Sequence, residues 1–249
     1  MKLGVSLSVF SSLLFAVLYY YVTLLDPLDG TALFSWRIIL AMPALALMIT
    51  RMRSWPEIRL LSQRMRHEPR LLLLMLLSSS ILGVQLWLFV WAPVHQKALD
   101  VAMGYFLLPL TMVLVGRFVY NERLTRLQTV AVALAAIGVL HELFRVYSFS
   151  WVTALVMFGY PPYFMLRRKL NLHTLGGLWF DLMFMLPAAF FLLNQQELSV
   201  IQQLIEHPRL LGLIPLLGVI SSVALAAYIS ASRLLPLGLF GLLGYVEPV

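Results

Sequence analysis

The 249-residue chain is 61% hydrophobic and only 12% charged, with a mean hydropathy of +0.89. Soluble domains carry about twice that share of charged residues, so the composition excludes a soluble globular protein and predicts a chain that crosses a membrane several times. The net charge of +7 does not indicate nucleic-acid binding, because the basic residues lie in short clusters between apolar runs. The chain has no cysteine, which excludes disulfides and thiolate metal sites.

Apolar runs mark the predicted membrane helices, each of which needs about 20 mostly apolar residues. Eight runs are long enough, at 3–25, 32–50, 71–91, 99–119, 127–143, 149–166, 175–193 and 210–230. A ninth begins at Leu234 and has 16 residues. The first lacks a small-residue cleavage site, which predicts a retained helix and not a signal peptide. The loops are short, so we expect one compact membrane unit.

The distribution of Lys and Arg predicts the orientation, since cytoplasmic loops carry an excess of both. With a cytoplasmic N-terminus, fourteen of the 18 lie inside: Lys2, Arg51, Arg53, Arg59, Arg64, Arg66, Arg70, Arg117, Arg123, Arg126, Arg167, Arg168, Lys169 and Arg233. The loop at 51–70 is therefore expected to lie on lipid headgroups at the cytoplasmic surface. The outer loop at 194–209 has apolar residues at helical spacing, which predicts a short interfacial helix.

Weak internal matches at a nearly constant offset predict a repeat. Asp181 follows Arg37 by 144 positions, and Pro248 follows Pro109 by 139. Duplicating a unit of five helices inverts the second copy, and such folds bind their ligand between the halves, near the midplane. We therefore expect an all-α integral membrane fold with two inverted five-helix units, at 1–144 and 145–249. Ten helices are expected, of which about nine are present and the last is incomplete.

Three charges fall inside predicted membrane helices, where a charge costs about 2.5–3.5 kcal/mol even on the lenient insertion scale. Arg37 is expected to bind an anionic group of a substrate and Asp181 a cationic one. For both, a structural ion pair is the alternative, and a snorkelling side chain is another for Arg37. Glu247 precedes Pro248, whose missing N–H leaves a carbonyl free one turn earlier, so it could exchange a proton. A position nearer the membrane surface is its alternative.

Less costly polar groups complete the candidate cavity, with Gln85 and Tyr105 expected to hydrogen-bond the substrate. The sequence has no paired-carboxylate motif, no His-x-x-x-His spacing, no Walker loop and no nucleophile elbow. We therefore expect no catalytic residue, no cofactor and no metal site, and predict that the protein is not an enzyme.

Several motifs together resemble one transporter family. They are Leu88-Phe89-Val90-Trp91-Ala92, Gly104-Tyr105-Phe106, Pro109-Leu110, Asn121-Glu122-Arg123-Leu124, Leu166-Arg167-Arg168-Lys169 and Tyr245 with Pro248. This pattern resembles the RarD (chloramphenicol-sensitivity protein) group of EamA transporters, in the drug/metabolite transporter superfamily. The resemblance implies ten helices in a bacterial inner membrane and transport driven by a gradient. It also makes Tyr245 a candidate substrate-binding residue. Leu108, Gly244 and Glu247 depart from the pattern.

These observations predict a secondary active transporter that moves a small amphipathic metabolite or drug by alternating access, coupled to an ion gradient. The alternative is a non-transporting membrane subunit or sensor of a larger complex. The expected partners are a small-molecule substrate and the lipid bilayer, with a homodimer as an option and no nucleic acid.

Overall fold

Regular secondary structure is entirely helical in the described part of the chain. The structure, a computed structural model, describes residues 1–146, 149–172, 174–196 and 200–246. The helices are α1 (Lys2–Val22), α2 (Gly30–Arg51), α3 (Trp55–His67), α4 (Pro69–Val94), α5 (Ala98–Phe118), α6 (Arg126–Val146), α7 (Trp151–Leu170), α8 (Leu175–Asn194), α9 (Val200–Glu206), α10 (Leu210–Leu234) and α11 (Leu237–Leu243). Short 3-10 helices follow α1 at Thr23–Leu25 and α11 at Gly244–Val246. The all-α prediction is confirmed.

Among the described residues, six helices are long and apolar enough to cross a membrane: α1 with its 3-10 turn, α2, α4, α5, α8 and α10. The predicted runs at 127–143 and 149–166 also form helices, α6 and α7. The apolar part of α6 is shorter, Arg126–Val139, and α7 ends on three consecutive basic residues. The ninth run forms α11 and its 3-10 turn. The chain is therefore a multi-pass membrane protein.

Helix ends are set by local chemistry. The side chain of Asp29 accepts a hydrogen bond from the N–H of Ala32 at 2.7 Å, which satisfies a free donor at the start of α2. Ser150 does the same for Thr153 at the start of α7, at 3.3 Å. Asn171 ends α7 in the left-handed conformation, at φ 55°, which asparagine tolerates better than most residues.

The basic loop at 51–70 contains a helix, α3, that the sequence analysis did not predict. Its Ile58 and Leu61 are buried while its arginines are exposed or half-buried, so it is amphipathic. Trp55 packs edge-on against Trp179 of α8, with 5.5 Å between ring centroids. We call the end of the bundle that carries α3 the arginine-rich end, and the opposite end the distal end.

Helix pairing follows a consistent pattern. Helix α1 packs on α10, α7 packs on α4, and α2 packs on both α8 and α10. Consider an exchange of α1 with α7, α2 with α8, α4 with α10 and α5 with α11. It turns the contact α1–α10 into α4–α7 and the contact α2–α10 into α4–α8, and all four contacts are observed. The pairs α2–α8 and α5–α11 map onto themselves. This is the pattern that an inverted repeat produces, while the boundary between residues 144 and 145 stays a prediction.

Candidate functional site

A cavity of about 280 Å³ lies between α1, α4 and α5. We call it the central cavity; it is lined by Phe15, Ala16, Tyr19, Phe89, Val101, Ala102, Tyr105 and Phe106. Tyr19 is near the distal end of α1, and Val101 is in the first turn of α5, which begins at the distal end. The cavity therefore lies in the distal half of the bundle. Its volume is near the lower bound of about 300 Å³ for small-molecule sites.

A smaller recess continues the central cavity toward α2 and contains Arg37. We call it the arginine recess; it is lined by Phe15, Arg37, Leu86, Phe89, Tyr105, Tyr160 and Tyr228. Arg37 is 1% exposed, and its guanidinium carbon lies 5.2 Å from the centroid of the Phe89 ring. It follows the start of α2 by seven residues, about 10 Å along the helix. A positive charge therefore lies at the deep side of an aromatic cavity.

The aromatic side chains around the recess come from five helices and contact one another. Phe15 of α1 meets Tyr228 of α10 edge-on at 5.6 Å, and Phe89 of α4 meets Tyr105 of α5 at 6.0 Å. The hydroxyls of Tyr105 and Tyr160 are 3.3 Å apart, within hydrogen-bond distance. Ring faces favour flat or apolar groups, and phenol hydroxyls donate and accept hydrogen bonds. These groups have the chemistry to contact an amphipathic molecule with an anionic group, although the recess beside Arg37, about 10 Å³, has room for about one water molecule in this structure.

Of the predicted binding residues, Arg37 and Tyr105 line the same recess. Gln85 of α4 does not line the recess, and its amide donates a hydrogen bond to the carbonyl of Leu155 at 2.8 Å. It packs so closely on α7 that a Cβ added to Gly159 would lie 1.9 Å from the Gln85 nitrogen. In this structure Gln85 joins α4 to α7, and its binding role stays a prediction.

Asp181 forms a buried ion pair with Arg167, and both are 1% exposed. The same carboxylate oxygen accepts a hydrogen bond from the Tyr163 hydroxyl at 3.0 Å, and Arg167 also donates to that hydroxyl at 3.1 Å. The second terminal nitrogen of Arg167 donates to the carbonyls of Leu172 and Thr174. This network ties the end of α7 to the start of α8. The sequence analysis gave a structural ion pair as the alternative role of Asp181, and this network is such a pair. The substrate-binding role of Asp181 stays a prediction.

Arg167 is a residue that the sequence analysis missed, because it belongs to a basic triplet at a helix end. Such triplets are typical of cytoplasmic loops. A usable signal was present, since Arg167 follows Tyr163 by four residues and therefore shares its face of α7.

Tyr245 lines a groove between α5 and α6 that shares Ala102 and Phe106 with the central cavity. This side groove, about 530 Å³, is lined by Leu99, Ala102, Met103, Phe106, Ala135, Gly138, Val139 and Tyr245. The Tyr245 hydroxyl donates to the carbonyl of Phe106 at 3.1 Å. Its substrate-binding role stays a prediction. Glu247, the predicted ion-coupling residue, lies outside the described residues.

From Tyr105, a narrow cleft runs toward the arginine-rich end, between α5, α10 and α11. It is lined by Tyr105, Leu108, Pro109, Met112, Tyr228, Phe240, Gly241 and Gly244. One turn beyond the cleft, the carboxylate of Glu122 accepts hydrogen bonds from the N–H groups of Leu237 and Gly238, both at 2.9 Å. Arg168 of α7 also donates to it, at 3.0 Å. The cleft thus ends at a polar junction, which we call the Glu122 junction.

Glu122 is ionised at this junction. Partial burial raises the pKa of its carboxyl, but the hydrogen bonds from Gly238, Leu237 and Arg168 outweigh burial and hold the pKa below its ordinary value. The pair is not deeply buried, since Arg168 is 41% exposed and Glu122 14%. Arg168 is also held over the ring of Tyr120, 4.2 Å from its centroid.

No group of three His, Asp or Glu side chains is close enough to hold a metal ion among residues 1–146, 149–172, 174–196 and 200–246. The central cavity is lined by aromatic rings, phenols and small apolar side chains, and the guanidinium of Arg37 lies in the adjoining arginine recess.

Comparison with known proteins places the chain among bacterial membrane proteins. It is 46% identical to the chloramphenicol-sensitive protein RarD of Pseudomonas aeruginosa over 249 residues, covering 99% of this chain and 82% of that protein. The chain belongs to the RarD family. It is also 42% identical to an uncharacterized transporter of Pasteurella multocida, covering 99% of this chain and 84% of that one. Protein RarD of Escherichia coli is 25% identical over 98% of this chain and 82% of its own length.

These relatives agree with the predicted class of this RarD-family chain. The names are those of transporters and not of enzymes, in agreement with a non-enzymatic role. No family model matches the chain, and no solved structure matches it. The chain is therefore a multi-pass membrane protein of a transporter family.

Proposed function

We propose that this protein is a secondary active transporter of the EamA type that moves a small amphipathic molecule through a bacterial inner membrane. Its substrate would carry an anionic group and a flat or apolar body. The observation that carries the proposal is the placement of Arg37 in a small aromatic recess that shares Phe15, Phe89 and Tyr105 with the central cavity. A buried charge in a membrane protein is costly and marks a substrate path more often than a packing surface.

The proposed mechanism is alternating access between the two ends of the bundle. The central cavity lies in the distal half, and helix pairs that map onto each other would allow one half to rock against the other. The excess of Lys and Arg assigns the arginine-rich end to the cytoplasm. Glu247 remains our candidate for ion coupling, by analogy with other intramembrane carboxylates that carry protons.

The decisive experiment measures solute flux in proteoliposomes. The panel contains amino acids, small amphipathic carboxylates, their uncharged amides and chloramphenicol, each tested with and without a pH gradient. We expect at least one anionic amphipathic solute to move, and Arg37→Gln to abolish that movement. Arg59→Gln removes an exposed arginine on α3 and serves as the matched control. Movement that survives Arg37→Gln unchanged would contradict the proposed site.

A further inference from the structure

We propose that Glu122 is the latch that closes the arginine-rich end of the substrate path, so that breaking its contacts opens the narrow cleft to that side. This inference rests on the proposed function. Glu122 follows α5 in the first half of the chain, whereas its three hydrogen-bond donors, Arg168, Leu237 and Gly238, lie in the second half. One side chain therefore joins α5, α7 and α11.

The junction controls the position of α11. The first N–H groups of a helix have no partner within it, and Glu122 satisfies those of Leu237 and Gly238 with its two carboxylate oxygens. Phe240, Gly241 and Gly244, further along the same helical segment, line the narrow cleft that begins at Tyr105. The start of α11 is therefore held at the end of the cleft nearest the arginine-rich side.

In one state of an alternating-access cycle, the substrate path is open at one end and closed at the other. The two ends of the path in this structure differ in this sense. The central cavity lies in the distal half, and in the arginine-rich half α5 and α11 are in close contact. A Cβ added to Gly116 would lie 2.8 Å from a carboxylate oxygen of Glu122 and 3.0 Å from the nitrogen of Gly238. A Cβ on Gly241 would lie 2.5 Å from the Cβ of Met112. Releasing Glu122 would allow α11 to move away from α5 along this contact.

Charge stabilises the latch in addition to the hydrogen bonds from the start of α11. The charged group that contacts the Glu122 carboxylate is Arg168 of α7, at 3.0 Å, and it favours the ionised carboxylate. Arg117 of α5 donates instead to the backbone carbonyl of Glu122, at 3.5 Å. The hydrogen bonds from Gly238, Leu237 and Arg168 lower the pKa of Glu122, so the ionised carboxylate is the form that makes these contacts.

Side-specific labelling of introduced cysteines tests the latch without requiring transport. The chain has no cysteine, so each introduced thiol is the only target of an impermeant maleimide. Met112→Cys reports the narrow cleft, Ala102→Cys the central cavity, and Gln63→Cys on exposed α3 identifies vesicles whose arginine-rich end faces the reagent. We expect Met112→Cys to be unreactive from that end. With Glu122→Ala, its labelling rate should rise by at least about tenfold, because hydrogen bonds to a charged group are lost.

Glu68→Ala is the matched control, since Glu68 is an exposed carboxylate at the same end with no side-chain hydrogen bond at the start of α4. It should leave the labelling of Met112→Cys unchanged. Unchanged labelling in Glu122→Ala, or an equal rise in Glu68→Ala, would overturn the latch.

A cross-link provides a second variant in case Glu122→Ala does not fold. A Cβ on Gly238 would lie 3.8 Å from the Cα of Val113, which is within reach of a disulfide. Val113→Cys with Gly238→Cys should stop solute flux on oxidation and regain it on reduction, while the cysteine-free parent is unaffected. Flux through the cross-linked protein would overturn the latch. If the labelling of Met112→Cys rises in Glu122→Ala but no solute moves in the flux assay, the result would instead contradict the proposed transporter.

Discussion

Arg37 and Arg167 are both 1% exposed, but they lie in different surroundings. Arg167 donates to Asp181, Tyr163 and two backbone carbonyls, so its charge is balanced and its donors are largely used. Arg37 lines a recess with Phe89 and three tyrosines. Burying an ion pair stabilises little by itself, whereas removing one partner leaves an uncompensated charge. We propose a structural assignment for the Arg167–Asp181 pair, and the binding roles of Arg37 and Asp181 stay predictions.

This assignment predicts the stability of variants at the ion pair. Asp181→Asn or Arg167→Met alone should lower the free energy of unfolding by about 3–5 kcal/mol, because each leaves one buried group without its partner. The double variant Arg167→Met with Asp181→Leu should regain most of that loss. Thermal unfolding in detergent measures the effect. If Asp181 instead bound substrate, Asp181→Asn would unfold like the parent and lose only flux.

The positions of Arg37 and Tyr105 in a recess inside the bundle could be predicted from the sequence, because a charge or a phenol in an apolar run usually faces the bundle interior, and their binding roles stay predictions. The contacts of Arg167 and Glu122 could not be predicted. Both follow apolar helices at basic or polar corners, where exposed side chains are expected, and their partners come from parts of the chain distant in sequence, such as Leu237 for Glu122. Contacts of that kind depend on how the helices pack, which a single sequence does not encode locally.

Among the helices, α2 and α10 are held together by direct backbone contact. A Cβ on Gly218 of α10 would lie 2.4 Å from the Cβ of Leu40 and 2.7 Å from its carbonyl carbon. Small residues allow such approach between membrane helices. Because Leu40 is three residues from Arg37 on the same helix, this contact also fixes the depth of the guanidinium in its recess.

Gly218→Ala should therefore separate α2 from α10, at a cost of about 1–3 kcal/mol from overpacking, and weaken ligand binding through the displacement of Arg37. Gly212→Ala on the same helix is the control, since a Cβ there would meet nothing within 4 Å. Unfolding temperature and solute binding are measured for both variants. If the two variants have the same unfolding temperature and the same solute affinity, the contact between Gly218 and Leu40 neither stabilises the bundle nor positions Arg37.

The helices themselves were largely predictable, because bilayer thickness fixes the length of an apolar run. All eight full-length predicted runs coincide with helices, and α7 remains helical through Pro161 and Pro162. Helix α3 was not predicted. An amphipathic helix that lies along the end of the bundle has no continuous apolar run, and six arginines in the region 51–70 dominate its composition. The same reason limits prediction of any short helix outside the membrane.

At the scale of the whole molecule, the bundle has a cavity in one half and a closed polar junction in the other. The arginine recess lies beside the central cavity, and Tyr105 lines both of them as well as the narrow cleft. A molecule bound next to Tyr105 would therefore lie where the cavity and the cleft meet. This is the position that an alternating-access transporter requires for its substrate.

Equilibrium binding to the purified protein tests this account most directly. Having identified a transported carboxylate, one would titrate it and its primary amide into the parent and into Arg37→Gln, following intrinsic fluorescence. The account predicts that the parent binds the carboxylate at least about tenfold more tightly than the amide, a difference of about 1.4 kcal/mol, and that Arg37→Gln removes this preference. A preference for the carboxylate that persists in folded Arg37→Gln would contradict the account.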